Sequence, residues 1–162
     1  MTCSIASVMG AIGDRWGMLL LRDLMLGLRR YDDLRQSTGI TNATLSDRLK
    51  ALEQNGLIER HPYQERPTRY EYRLTAQGRD MALVLLALAQ VGDKWNLDGL
   101  EGPPLHFLDG QTGQGVKLAL VNEVTGQPVA WKEVTVQPGP GADELVHWRL
   151  EKRQPRGADQ AD

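Results

Sequence analysis

One stretch of the sequence, QSTGITNATLSDRLKALEQNGLIER at residues 36–60, constrains the fold more than any other. A short helix that ends at Gly39 is followed at once by a second helix that ends near Gly56. Thr41 is a suitable N-cap for the second helix because its hydroxyl can accept a hydrogen bond from an early backbone N–H. The apolar stripe of this helix consists of Leu45, Leu49 and Leu52. Two helices joined by so few residues form a helix-turn-helix pattern.

The segments on either side complete a larger unit. Residues 4–12 have helical apolar spacing, and residues 14–26 are apolar on nearly every face, which is typical of a buried helix. Residues 57–75 alternate between apolar and polar around a charged, Pro-containing tip, which indicates a β-hairpin. Residues 76–95 form a long apolar-rich helix. This order predicts an α+β fold, a winged helix-turn-helix domain that is mainly α with a hairpin wing.

The composition changes after this unit. We interpret DGLEGPP, residues 98–104, as a linker between a winged-helix domain at 1–97 and a small β-rich extension at 105–152. The last residues, 153–162, have the composition of a disordered tail.

The extension has the pattern of a small β-module. Residues 115–136 are predicted to form two strands around a turn near Thr125-Gly126, and residues 145–150 are predicted as a third strand. No internal repeat is evident.

Charge and composition favour some functional classes over others, and nothing in the sequence indicates an enzyme. The net charge is −2, but residues 1–95 hold 13 Lys/Arg against 11 Asp/Glu, whereas residues 96–162 hold 6 against 10. A local patch must therefore supply any phosphate affinity. One cysteine and three scattered histidines provide no metal site or disulfide framework, and we expect no cofactor. No phosphate loop or nucleophile elbow supports an enzyme.

The apolar runs are too short for a membrane span, and the N-terminus lacks the features of a secretory signal. We therefore expect a cytoplasmic protein without a membrane partner. A single cysteine is consistent with a reducing compartment.

The span from Cys3 to Trp95 resembles the HxlR family of bacterial transcription regulators, which are relatives of MarR. The matching stretches are CSIASVMGAIGDRWGMLLLRDLMLGLRRYDDLR, LSDRLKALEQNGLIER and PTRYEYRLTAQGR. The resemblance implies a dimeric, DNA-binding winged helix that regulates a neighbouring gene, and we expect a repressor. The extension is similar to one found in some members, where Asn122 and Thr125 take the places of a Cys-x-x-Cys pair.

The face of the second helix that points away from its leucines is short and polar near the N-terminus, which permits close approach to base edges in the major groove. The backbone dipoles there also favour phosphate. We predict these base-reading residues: Thr41, Asn42, Thr44, Asp47, Arg48 and Lys50. Asp47 repels phosphate but can accept a hydrogen bond from cytosine N4. The alternative is a solvated helix face without function.

Arginines of the predicted wing and of the short helix are candidates for contacts to phosphates or to the narrow minor groove. They are Arg29, Arg30, Arg35, Arg60, Arg66 and Arg69. An ordinary charged hairpin, partly neutralised by Glu65 and Glu71, is the alternative interpretation.

A homodimer would place two recognition helices about one DNA turn, roughly 34 Å, apart on a near-palindromic operator. We predict an interface from apolar residues in excess of the core: Ile5, Val8, Met9, Ile12, Leu83, Leu86, Val91 and Trp95. The alternative is that a single-chain core uses all of them.

Two further expectations concern regulation. In some members of the resembled family a cysteine at the position of Cys3 senses oxidants, and a thiol at a helix start has a lowered pKa; a half-buried residue without a redox role is the alternative. The acidic extension leaves open a protein-interaction or ligand-sensing module without DNA affinity. A small-molecule effector would fit either function.

Overall fold

The computed structural model describes residues 3–153. The elements up to Trp95 follow the predicted order and confirm the winged helix, whereas those of the C-terminal part differ from the prediction. They are α1 Ser4–Ile12, α2 Arg15–Met25, α3 Tyr31–Thr38, α4 Asn42–Gln54, β1 Ile58–Glu65, β2 Thr68–Leu74 and α5 Ala76–Trp95, then a 3-10 turn at Trp131–Glu133 and α6 Glu144–Lys152. None of the helices among these residues is both long and apolar enough to cross a membrane.

The core is built from the helices of the winged-helix part. Every buried apolar side chain of the described residues lies between Ile12 and Met81 in the sequence. The predicted stripe of α4 is at its centre, because Leu45 and Leu52 are fully buried and Leu49 is 2% exposed. The core therefore fixes which face of α4 points outward.

The junction between α1 and α2 is tight. Asp14 caps α2, with its Oδ1 accepting hydrogen bonds from the N–H groups of Trp16, at 3.0 Å, and Gly17, at 3.1 Å. A Cβ at Gly17 would lie 2.0 Å from the carbonyl oxygen of Ile12, so only glycine fits this approach.

The turn between α3 and α4 has the predicted caps. Gly39 ends α3 in the left-handed conformation, at φ 68°, and its N–H donates to the carbonyl of Arg35. Thr41 then begins α4, its hydroxyl accepting from the N–H of Thr44 at 3.3 Å. The structure thus confirms the helix-turn-helix.

The wing is broader than a hairpin. β1 and β2 pair antiparallel, with Ile58 opposite Leu74. Arg30 forms an additional antiparallel bridge to Glu71, and the N–H of Tyr72 donates to the carbonyl of Arg29 at 2.8 Å. Arg29 and Arg30, predicted to lie in the short helix, instead pair with the free edge of β2, because their backbone is extended.

The predicted strand at residues 145–150 is wrong, because these residues lie in α6. Asp143 caps this helix, with its Oδ1 accepting from the N–H of Val146 at 2.9 Å. Val146, Trp148 and Leu150 alternate with polar residues, as in a strand, but only Val146 and Leu150 are half-buried. These two are spaced four apart, as on one face of a helix.

The two strands expected within 115–136 are reduced to one bridge, Val121 to Pro128, around the predicted turn. An equivalent bridge joins Leu108 to Gly115. The expectation that there is no internal repeat is also wrong, because FLDGQTGQGV at 107–116 and LVNEVTGQPV at 120–129 are two copies of one hairpin.

The two hairpins have the same hydrogen bonds. The carboxylate of Asp109 accepts from the N–H of Gln111 at 2.8 Å, and the amide oxygen of Asn122 accepts from Val124 at 3.0 Å. Thr112 and Thr125, three residues on, each accept from the backbone two residues later, at 3.3 Å. The positions compared above to a Cys-x-x-Cys pair therefore form hydrogen-bonded turns.

Contacts among the described residues divide the chain into one compact unit of residues 6–118 and a second that contains residues 3–5 and 119–153. The predicted linker at 98–104 lies inside the larger unit, so the division into functional domains stays a prediction. The predicted disordered tail, except Arg153, lies outside the described residues.

Candidate nucleic-acid interface

The exposed face of α4 carries most of the residues predicted to read bases. Thr41, Asn42, Asp47 and Lys50 are exposed, and Thr44 is half-buried. The hydroxyls of Thr41 and Thr44 are 2.9 Å apart and share a hydrogen bond. This first turn therefore presents short polar groups around a helix N-terminus, an arrangement that suits a negatively charged polymer.

Arg48, also predicted to read bases, has a partner within the chain. Its Nε donates to Oδ2 of Asp14 at 2.8 Å, and its Nη2 lies 2.8 Å from the same oxygen. Burial would raise the pKa of Asp14, but hydrogen bonds from Gly17 and Arg48 and the charge of Arg48 lower it below its usual value. The pair fastens α4 to the start of α2.

A second contact fastens the other end of α4. The Nδ2 of Asn55, the C-cap, donates to the carbonyl oxygen of Ala11 at 2.9 Å. The recognition helix is thus joined by polar contacts to the end of α1 and to the cap of α2, and these contacts set its angle to the core.

A third contact, which the sequence reasoning missed, joins α3 to the first turns of α4. The hydroxyl of Tyr31 donates to the carbonyl oxygen of Asn42 at 2.9 Å and lies 3.0 Å from Oγ of Ser46. The ring of Tyr31 packs against the core. The one sign of this contact in the sequence is that Tyr31 is the first residue of α3, the helix that precedes the turn.

The tip of the wing carries two exposed arginines, Arg66 and Arg69, that form no ion pair with a carboxylate of the described residues. Arg73, further from the tip, is paired with Glu71. The arginines at the tip of the wing are therefore not neutralised by ion pairs among the described residues, whereas Arg73, near the end of β2, is neutralised.

The remaining arginines differ in their surroundings. Arg60 lies 3.3 Å from Glu53 and 4.9 Å from the ring centroid of Tyr70, so its charge is partly used within the chain. Arg30 stacks on Tyr63 at 5.0 Å. Arg29 and Arg35 are exposed. The structure brings the N-terminus of α4 and the arginine-tipped wing together in one winged-helix domain.

The predicted dimer residues do not all remain available. Ile12 is 7% exposed and belongs to the core of its own chain, so its assignment to an interface is wrong. Gly13, at φ 90°, turns the chain between α1 and α2, and Ile12 lies against Gly17 of α2. Leu86 is half-buried. The others are exposed: Ile5, Val8, Met9, Leu83, Val91 and Trp95.

One continuous apolar stripe runs along α5. Val84, Leu88, Val91 and Trp95 are spaced by four, three and four residues, and Leu88 and Trp95 are 53% and 66% exposed. This is the spacing of a helix that packs against another helix. The predicted interface set contains Val91 and Trp95 but leaves out Val84 and Leu88, which continue the same stripe.

Comparisons with known proteins agree with this geometry. Residues 11–98 match the HxlR-like helix-turn-helix family. An HTH-type transcriptional regulator of Mycobacterium tuberculosis, Rv3095, is 38% identical over 138 residues, which is 85% of this chain and 87% of the relative.

Two solved structures are similar over most of the chain. PA1607, described as a transcription factor, has a TM-score of 0.74 and 29% identity, over 85% of this chain and 96% of that one. PA1374 of Pseudomonas aeruginosa, described likewise, has a TM-score of 0.62 and 35% identity, over 91% of this chain and all of that one. This chain belongs to the HxlR-like helix-turn-helix family of transcriptional regulators, which bind DNA.

Proposed function

We propose that the chain is a repressor that binds a near-palindromic operator as a homodimer. The recognition segment, residues 41–55, enters the major groove, and the wing, residues 60–73, lies on the adjacent minor groove or its phosphates. The observation that carries the proposal is the exposed polar start of α4 in one domain with the unpaired arginines Arg66 and Arg69. The family rules against the alternative of a module without DNA affinity.

Within α4 we assign base contacts to Asn42, Thr44, Asp47 and Lys50, with Thr41 at the helix start. An asparagine can pair with adenine, a threonine methyl can contact thymine, and an aspartate can accept from cytosine N4. Arg48 serves instead as the fastener to Asp14, because both nitrogens that face the carboxylate are already used. Arg29, Arg30 and Arg35 are proposed phosphate contacts.

The wing assignment is tested by the salt dependence of operator binding. Each lost phosphate contact reduces the slope of log K against log salt by about 0.9. Because the homodimer loses one contact from each protomer, Arg66→Ala and Arg69→Ala should each lower the slope by about 1.8 and weaken binding to every sequence. Arg73→Ala is the matched control, because Glu71 already neutralises Arg73. Equal slopes in all three variants would contradict the wing assignment.

The dimer is proposed to form through the stripe of α5 and the exposed residues of α1. Leu88→Glu places a charge in the middle of this stripe and should convert the dimer to monomers, measured by sedimentation equilibrium. The matched control is Leu108→Glu, on a residue that is 56% exposed in the first hairpin. If Leu88→Glu remains dimeric, the interface lies elsewhere.

The remaining proposals concern surroundings and regulation. We place the protein in the cytoplasm, the compartment that contains its proposed operator. Redox sensing by Cys3 and control by a small-molecule effector stay predictions. Diamide should release DNA from the wild type and not from Cys3→Ser if the thiol is a sensor.

A further inference from the structure

The hydroxyl of Tyr31 has a fixed role in its two hydrogen bonds. A carbonyl oxygen can only accept, so the contact to Asn42 at 2.9 Å uses the single proton of the phenol. The second contact, to Oγ of Ser46 at 3.0 Å, must then use the proton of the serine. Tyr31 therefore donates to the backbone of α4 and accepts from Ser46.

The direction of these two hydrogen bonds determines which hydrogen bonds Ser46 can form with DNA. A free serine hydroxyl rotates and can either donate or accept. The proton of Ser46 is directed at Tyr31, so its exposed side retains only acceptor lone pairs. In the major groove the hydrogen-bond donors are the exocyclic amines of adenine and cytosine, whereas guanine O6 and thymine O4 are acceptors.

We propose that Ser46 is a specificity-determining residue that reads an adenine or cytosine amine, and that Tyr31 is the positioning residue that makes it an acceptor. The inference rests on DNA binding through α4. Asn42 and Ser46 are one turn apart, so the phenol also fixes the first turn of α4, where Asn42 is a proposed base contact.

The test is selection of bound duplexes from a random-sequence pool by the full chain. The wild type should prefer adenine over guanine, or cytosine over thymine, at one position in each half-site. Ser46→Ala should abolish that preference. Tyr31→Phe keeps the ring in the core but frees the proton of Ser46, so the preference at that position should fall about two- to tenfold. Positions read by Asp47 and Lys50, which the phenol does not contact, should retain theirs.

Ser37→Ala, at an exposed serine of α3, is the matched control and should select the wild-type motif. Thermal unfolding of each variant distinguishes positioning from a structural role. An unchanged preference in Tyr31→Phe, or a loss spread over all positions together with a lower melting temperature, would overturn the proposal. If the wild type enriches no sequence, DNA reading by α4 itself fails, a result distinct from a Tyr31→Phe variant that selects the wild-type motif.

Discussion

The winged-helix part and the C-terminal part of this chain are stabilised in different ways. Residues 12–81 contain all the buried apolar side chains of the described residues, whereas none of the residues at 98–153 is buried. The first part is held by a shared core of leucines. The second is held by polar contacts. Side chains such as Asp109 and Asn122 accept hydrogen bonds from the backbone of their own turns, and the amide of Gln90 in α5 pairs with the backbone of Leu118.

This difference decides where the functional geometry can be precise. Side chains on α4 are held by the core below and by polar contacts to α1, α2 and α3. A DNA reader requires such rigid support, because a small displacement breaks hydrogen bonds to base edges. The extension offers no buried support of this kind, so we assign it no role in base reading.

The largest expected effect comes from a core deletion. Leu49→Ala removes a buried side chain of α4 and should lower the free energy of unfolding by about 2–5 kcal/mol. The matched variant Leu145→Ala, at a 39% exposed residue of α6, should cost less than about 0.5 kcal/mol. Urea unfolding of both variants measures the contrast, and equal losses would remove the distinction between the two parts.

Substitutions of Asp14 test the polar contact that joins α4 to α2, with a smaller expected loss of stability. Asp14→Ala loses the helix cap and the pair with Arg48 and should cost about 1–2 kcal/mol. Asp14→Asn keeps a capping side chain and should cost about 0.5 kcal/mol. Chemical denaturation separates the two substitutions, and an equal cost for both would mean that the cap contributes nothing.

The same carboxylate predicts a dependence on pH. Because the folded pKa of Asp14 lies below its usual value, the ionised form stabilises the fold at neutral pH. That contribution is lost as pH falls below about 4 and through the folded pKa. The stability gap between wild type and Asp14→Asn should therefore narrow in acid. A gap that widens in acid would contradict the ion pair.

The smallest effects concern the two hairpins. Backbone hydrogen bonds from Gln111 and the hydroxyl of Thr112 lower the pKa of Asp109. Because Asn122 occupies the equivalent turn, Asn122→Asp should create a carboxyl whose pKa is lowered as well, and Asp109→Asn should leave the first hairpin intact. An NMR titration of Asn122→Asp measures the pKa of the new carboxyl, and the NMR spectrum of Asp109→Asn shows whether the first hairpin is intact. A usual pKa at position 122 would mean that the hairpins are not equivalent.

Much of the winged helix could be predicted because the apolar spacing of its helices shows which residues are buried. The leucines of α4, Gly39 and Thr41 each have a spacing or cap that determines local structure. Long-range polar pairs have no such signal. Nothing in the sequence joins Arg48 to Asp14, which is 34 residues away, so Arg48 was assigned to DNA.

The extension was predicted less well for a related reason. Without a buried face, its apolar residues do not distinguish a helix from a strand. The alternation of Val146, Trp148 and Leu150 with polar residues led to the wrong strand at 145–150. The repeat of the two hairpins was visible in the spacing of Thr-Gly-Gln, 13 residues apart, but only the turn near Thr125-Gly126 was predicted.

The central claim is that α4 reads bases from the major groove while the wing contacts the backbone. The most direct test is a crystal structure of the protein on a duplex selected from random DNA. We predict α4 in the major groove, with Asn42, Thr44, Asp47 or Lys50 within hydrogen-bond distance of base edges, and Arg66 or Arg69 on phosphates or in the minor groove. A complex in which α4 faces solvent, or contacts phosphates alone, would contradict the account.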